Sequence, residues 1–114
     1  MYTPKKTKDF EELVKASYFQ RYNLHDKLVA DDLRIVVKAI FEPTKAEKSN
    51  KKKYVSMVEN KTYYHKKPDG DNVLKAVCDA LNGIAYIDDS RLVDSKIIKL
   101  YGEEAKTIVH IKEL

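Results

Sequence analysis

The 114 residues include only one cysteine, three glycines and three prolines, and no tryptophan. Cys78 alone makes neither an internal disulfide nor a structural zinc site. It falls inside a helical pattern, where a free cysteine is expected as a small core residue. No apolar run nears the roughly 18 residues that a membrane helix needs. The start, Met1-Tyr2-Thr3-Pro4-Lys5-Lys6, is not followed by an apolar stretch. No signal peptide is therefore read, no membrane partner is expected, and a cytoplasmic location is the expectation. Repeats and low-complexity tracts are absent as well. What remains is an ordinary globular composition, 43% hydrophobic and 35% charged. The length fits one domain, residues 1–114, with one modest core.

The net charge of +4 is unevenly spread. From Lys45 to Lys67 there are eight lysines against Glu47 and Glu59, net +6. From Asp69 to Asp94 there are six aspartates against Lys75 and Arg91, net −4. A basic stretch beside a compact aspartate cluster suits a polyanion held by one part and met by metal in the other. Lysine-rich segments are more often plain solvated surface, so charge alone does not decide.

Thr7 or Asp9 can cap a helix running to about Tyr22, with Phe10, Leu13, Val14 and Tyr18 at helical spacing and Asp9, Glu11 and Glu12 in its first turn. Residues 23–32 read as a connection. Leu33 to Phe41 is rich in β-branched residues and reads as a strand ended by Pro43. Lys45 to Glu59 reads as a helix, and Thr62 to His65 as a short strand. Lys66-Lys67-Pro68-Asp69-Gly70 has loop chemistry. Asp71 reads as the N-cap of a helix to about Asn82, stopped by Gly83. Ile84 to Ile87 is a short apolar segment expected to return the chain, as a strand, to Asp88 and Asp89. Leu92 to Tyr101 and Lys106 to Glu113 read as strands joined by a hairpin turn at Gly102-Glu103-Glu104. This order predicts an α/β or α+β domain with one mixed β-sheet packed against helices.

Asp69 and Asp71 flank Gly70 at a helix entry, where a turn can aim both at one metal. Carboxylates are hard oxygen ligands that suit Mg²⁺ or Mn²⁺ better than zinc. Lys75 follows Asp71 by one helical turn, and Asp79 continues the face. Several carboxylates with one lysine make a kit for phosphodiester hydrolysis: metals neutralise the phosphate, activate a water and stabilise the leaving oxygen. Each feature also has a plain structural reading. Asp71 could be only a cap, Lys75 a surface partner and Asp88-Asp89 a turn. An EF-hand is excluded: Val73 is no ligand, Leu74 stands where glycine is needed, and Ala80 replaces the bidentate glutamate.

The ordered run Lys66-Lys67-Pro68-Asp69-Gly70-Asp71-Asn72-Val73-Leu74-Lys75, then Asp79-Ala80-Leu81-Asn82-Gly83, then Asp88-Asp89 and Val93, resembles the signature of the RusA family of Holliday junction resolvases. Tyr2-Thr3-Pro4-Lys5-Lys6-Thr7 and Lys99-Leu100-Tyr101-Gly102 extend the resemblance over nearly the whole chain. It implies a RusA-like fold and a homodimer that binds four-way DNA junctions and nicks two opposed strands with Mg²⁺, in recombination and repair. Family members often belong to phages or integrated elements. By matching positions, Asp69, Asp71 and Asp89 would hold the metal, and Lys75 would stabilise the phosphate or orient a water. Asp88 and Asp79 would be outer groups. Lys66 and Lys67 would hold the DNA backbone, with Lys51, Lys52 and Lys53 as a further contact. Family members usually carry a first strand and a glycine- and arginine-containing basic loop ahead of the Tyr-Thr-Pro segment. A chain without that strand is expected to leave a sheet edge open. The alternative reading is a DNA-binding, catalytically inactive remnant of a mobile element.

Overall fold

The computed structural model describes residues 5–60 and 62–114, with side chains from Thr7 onward. Tyr2, Thr3 and Pro4, which belong to the sequence resemblance, lie outside the described residues.

The fold is built on β1 (Leu33–Phe41), whose residues alternate with the period of two that a half-covered strand requires. Leu33, Ile35, Val37 and Ala39 are buried, while Arg34 and Lys38 point to solvent. Two further strands, β2 (Leu92–Tyr101) and β3 (Lys106–Glu113), flank it in the order β2-β1-β3. β2 runs parallel to β1, with Val37 opposite Ile97. β3 runs antiparallel, with Val37 opposite Val109. The mixed sheet and α+β class predicted from the element order are both present.

The hairpin expected between the last two strands does not form. β2 and β3 never pair; β1 lies between them, and residues 102–105 bridge across its end. Gly102 N–H donates to the Phe41 carbonyl at 3.0 Å. A Cβ at Gly102 would collide with Ile40, so only glycine lets the crossing chain lie this close. The strand whose alternate residues Leu33, Ile35, Val37 and Ala39 are all buried takes the centre, where both of its edges are hydrogen-bonded.

Helix α1 (Lys5–Arg21) begins before Thr7, which moves Asp9, Glu11 and Glu12 beyond its first turn. Its Phe10, Val14 and Tyr18 pack on the core, and the helix lies against the chain's last helix. The single helix expected over residues 45–59 is two: α2 (Lys45–Ser49) and α3 (Lys51–Glu59). Asn50 interrupts them, because its side chain accepts from Lys53 N–H and caps the second. The strand expected at residues 62–65 reduces to one bridge, Tyr63 to Leu100, on the outer edge of β2. The outer edge of β3 has no partner among the described residues. An apolar groove of about 1060 Å³ runs between α1 and the inner face of β3, with Phe10, Val14, Val109 and Ile111 on its walls.

Helix α4 (Gly70–Leu81) covers the inner face of the sheet. Val73, Val77 and Leu81 join Leu33, Ile35 and Val37 in the core. Asp69, not Asp71, occupies the N-cap position, and Asp71 lies in the first turn. The apolar stretch after the helix is not a strand. It is a turn through Gly83, whose φ is 75°, followed by the fully buried Tyr86 and the bridge Leu28 to Tyr86. No helix among the described residues is long and apolar enough to cross a membrane.

Candidate active site

Two segments bring the acidic residues together. The first is the loop 66–69 leading into α4. It is anchored on the ends of β1 and β2: Lys99 Nζ donates to the Lys66 carbonyl at 2.6 Å, and Tyr64 Oη to the Lys67 carbonyl at 3.3 Å. Tyr64 is itself stacked on Phe41 at 4.0 Å between ring centroids, with Tyr101 edge-on. At the helix entry, a Cβ on Gly70 would stand 3.3 Å from Ile97 Cγ2. The glycine therefore lets the start of α4 come down close to β2. Asp69 caps the helix through its backbone, with Val73 N–H donating to its carbonyl at 3.2 Å. Its side chain makes no cap hydrogen bond.

The second segment is the return from α4. Asn82 N–H turns back to the Asp79 carbonyl, which leaves the Cys78 carbonyl to accept from the Tyr86 hydroxyl. The last carbonyls of a helix need such partners. Asn82 Oδ1 then accepts from Asp89 N–H at 3.1 Å, fixing where that residue emerges. Asp88 Oδ2 accepts from Ser90 N–H at 3.0 Å and caps the short 3-10 turn Asp89–Arg91. The Ser90 hydrogen bonds, with the nearby Arg91, hold the Asp88 carboxyl below the usual range. Arg91 pins the turn to the Val29 carbonyl at 2.8 Å.

These segments meet in an open cleft of about 260 Å³ between α4 and the edge strand β2. Asp71, Lys75 and Cys78 line it from the helix, Asp89 from the turn, and Ser95 from β2. Asp71 and Lys75 are one helical turn apart and Cys78 follows three residues later, so all three project from one face. No ion pair joins Lys75 to Asp71 among the described residues, which leaves the ammonium available to an anion.

Of the residues singled out in the sequence, Asp71, Lys75 and Asp89 are brought together in this cleft. Asp69 stands at the helix cap outside the cleft lining. Asp88 is committed to its turn, and Asp79 is exposed on α4 next to Cys78 but outside the cleft lining. Among the described residues, no three acidic, imidazole or thiol groups stand close enough to hold a metal ion by themselves. Mg²⁺ commonly takes one or two carboxylates and completes its shell with water and substrate phosphates. Asp71 on the helix and Asp89 on the turn fit that donor set. Lys66 is drawn into an ion pair with Glu47 of α2 at 3.4 Å, and this hydrogen bond raises its pKa. Lys67 is exposed on the same loop. Lys51, Lys52 and Lys53 are exposed on the first turn of α3.

Sequence reasoning missed Cys78, Ser95 and Asn82 as parts of this site. Cys78 is half-buried at the cleft wall, and not simply a core residue. Burial, aided by Asp79 and Asp89, pushes its thiol up to about 11. It is therefore a neutral thiol at pH 7, neither a nucleophile nor a ready soft-metal ligand. Tyr86 is also pushed well up from 10.0, chiefly by burial. Both raised acids favour the fold in their neutral forms. Their stabilisation is complete below pH 9, where the unfolded thiol begins to ionise, and declines as pH rises from there. The urea midpoint is expected to fall above pH 9, and a Cys78→Ala, Tyr86→Phe double variant to show a flatter decline. Parallel pH profiles for the two proteins would disprove this.

An open cleft with two carboxylates and a free ammonium, at the edge of a small mixed sheet, has the make-up of a site for phosphodiester hydrolysis. The chain matches the family model described as endodeoxyribonuclease RusA over residues 1–112, and it belongs to that family. It is also similar to the protein YqaN of Bacillus subtilis strain 168, at 33% identity over 107 residues, 88% of this chain and 75% of that one. RusA-type enzymes are junction-resolving endonucleases that act on branched DNA.

Proposed function

We propose that this protein is a Mg²⁺-dependent endonuclease, able to use Mn²⁺, that resolves four-way DNA junctions in recombination and repair by paired hydrolysis of opposed strands. The observation that carries this reading is the meeting of Asp71, Lys75 and Asp89 in one open cleft of a RusA-family chain. Asp71 and Asp89 would hold the metal; the family pattern adds Asp69, whose carboxylate at the helix cap would have to turn into the cleft to reach it. When bound, the metal supplies charge neutralisation at the phosphate and a more acidic water. Lys75 reaches the same cleft and places its ammonium against a non-bridging phosphate oxygen, where charge develops in the transition state. Asp88 acts indirectly, by shaping the turn that carries Asp89. Asp79 is an outer charge on the same helix. Lys67 and the lysines at 51–53, exposed on the loop and on α3, would hold the phosphate backbone, and Lys66 would join them by exchanging Glu47 for a phosphate. Two opposed nicks need two such sites, and a homodimer in the cytoplasm provides them.

A labelled synthetic four-way junction, incubated with Mg²⁺ or Mn²⁺ beside a linear duplex of matched sequence, tests this. Paired nicks confined to the junction and dependent on metal are expected. Junction binding without cleavage in either metal would overturn the reading and leave a DNA-binding remnant.

A further inference from the structure

The helix α4 covers one face of the sheet, and the other face bears an uneven charge. Residues directly opposite in a sheet share a face, so the pairings fix what lies there. Lys38 is exposed between the buried Val37 and Ala39, and therefore points away from α4. On the same face lie Arg34, Lys96, Lys106 and Lys112, against the single carboxylate of Asp94. Asp94 is already paired with Arg34 at 2.7 Å. The remaining four lysines join no ion pair among the described residues.

Three of these lysines form a line. Lys96 of β2 lies opposite Val36, Lys38 lies two residues further along β1, and Lys106 of β3 lies opposite Ile40, two residues further again. Each step thus crosses one strand and advances two residues, a separation of roughly 7–8 Å. The line runs diagonally across the whole sheet, with Ile98 and Ile108 on either side of Lys38. Lysines on sheet faces serve solubility when mixed with acids. Here Asp94 is paired with Arg34, and Glu42 just beyond β1 is paired with Lys48, so neither acid is spent on the line to which three strands each contribute one cation.

The line begins beside the cleft. Ser95 lines the cleft from β2, and Lys96, the next residue, projects from the opposite face of that edge strand. A second copy of the same face would bring these cations against each other, so charge disfavours self-association through this face and leaves a homodimer to form through another. We infer that the Lys96–Lys38–Lys106 diagonal is a second DNA-backbone track, which holds an arm of the branched substrate away from the scissile phosphate. This rests on the junction-endonuclease reading and adds to it a surface outside the cleft.

Anisotropy of a labelled four-way junction without divalent metal, between 50 and 200 mM salt, tests the track. Each phosphate contact contributes about 0.9 to the slope of log affinity against log salt. A Lys38→Gln, Lys96→Gln, Lys106→Gln triple variant should therefore lose roughly 2 to 3 from that slope. Over this fourfold salt range the wild type would weaken about forty-fold more than the variant. The matching triple arginine variant should keep the wild-type slope, which separates lost charge from lost folding. An unchanged slope in the glutamine variant, or a reduced slope in the arginine variant, would overturn the inference. Junction cleavage by the wild type is scored separately, so a failed track and a failed resolvase reading remain distinguishable.

Discussion

Asp71→Asn is expected to remove metal-dependent junction cleavage, by at least about a thousandfold, while leaving the fold and junction binding nearly intact. A thousandfold corresponds to about 4 kcal/mol of transition-state stabilisation. Asparagine keeps the shape of the side chain but removes the negative charge that a hard divalent cation needs. Stability should change little, because Asp71 is exposed in the first turn of α4 and makes no ion pair among the described residues. The lost interaction with the helix dipole is worth about 0.3–1 kcal/mol. Asp89→Asn should behave alike, because its carboxylate lines the same cleft from the other wall. Lys75→Met should cost about a hundred- to a thousandfold, the range for removing one preorganised group that meets developing charge. Asp88→Asn and Asp79→Asn should stay within about a hundredfold, as outer groups do. Single-turnover cleavage with each variant gives this ranking. Asp71→Asn retaining near wild-type rates would remove the cleft as the catalytic centre.

How much of this was legible from sequence follows from which signals are local. The strand Leu33–Phe41 and the helix ending before Gly83 were readable because periodicity and punctuation are written into consecutive residues. The pairing of β2 and β3 with β1, instead of with each other, was not. A four-residue connection after a strand looks like a hairpin whether it turns back or crosses a neighbouring strand's end. The distinguishing signal was Gly102 passing over Ile40, a contact between residues distant in sequence. The same limit applies at the site. Asp71 and Lys75 share a helical face by spacing alone, and the structure places both at the cleft. Asp89 was expected to return to the helix through a strand, and its metal role came from resemblance; the structure makes the return a turn held through Tyr86 and Asn82. Ser95 and Cys78 carry no motif, and only the packing of α4 against β2 brings them to the cleft. The break at Asn50 was visible as a capping residue but was masked by lysines of good helix propensity on both sides.

Tyr86 offers the largest expected effect on stability, and it tests whether the site's geometry depends on the core. The residue is completely buried, and its hydroxyl satisfies the Cys78 carbonyl near the end of α4. Tyr86→Ala should destabilise the protein by about 3–5 kcal/mol, through lost apolar burial and the cavity left behind. At roughly 4 °C per kcal/mol for a chain of this size, the melting temperature should fall by about 12–20 °C. Tyr86→Phe keeps the ring and removes only the hydroxyl, leaving a buried carbonyl without its donor, at about 1–3 kcal/mol. The two substitutions therefore divide the role of the side chain into ring packing and helix-end satisfaction. Tyr86 is also three residues before Asp89, on the turn that sets the carboxylate's position against α4. Tyr86→Phe should accordingly slow cleavage at temperatures where the protein remains fully folded, by a change in turnover with junction affinity held. If phenylalanine melts with the wild type and cleaves at the same rate, the hydroxyl neither supports the helix end nor positions Asp89. The turn would then be held by its remaining hydrogen bonds, those of Asn82, Asp88 and Arg91 among them.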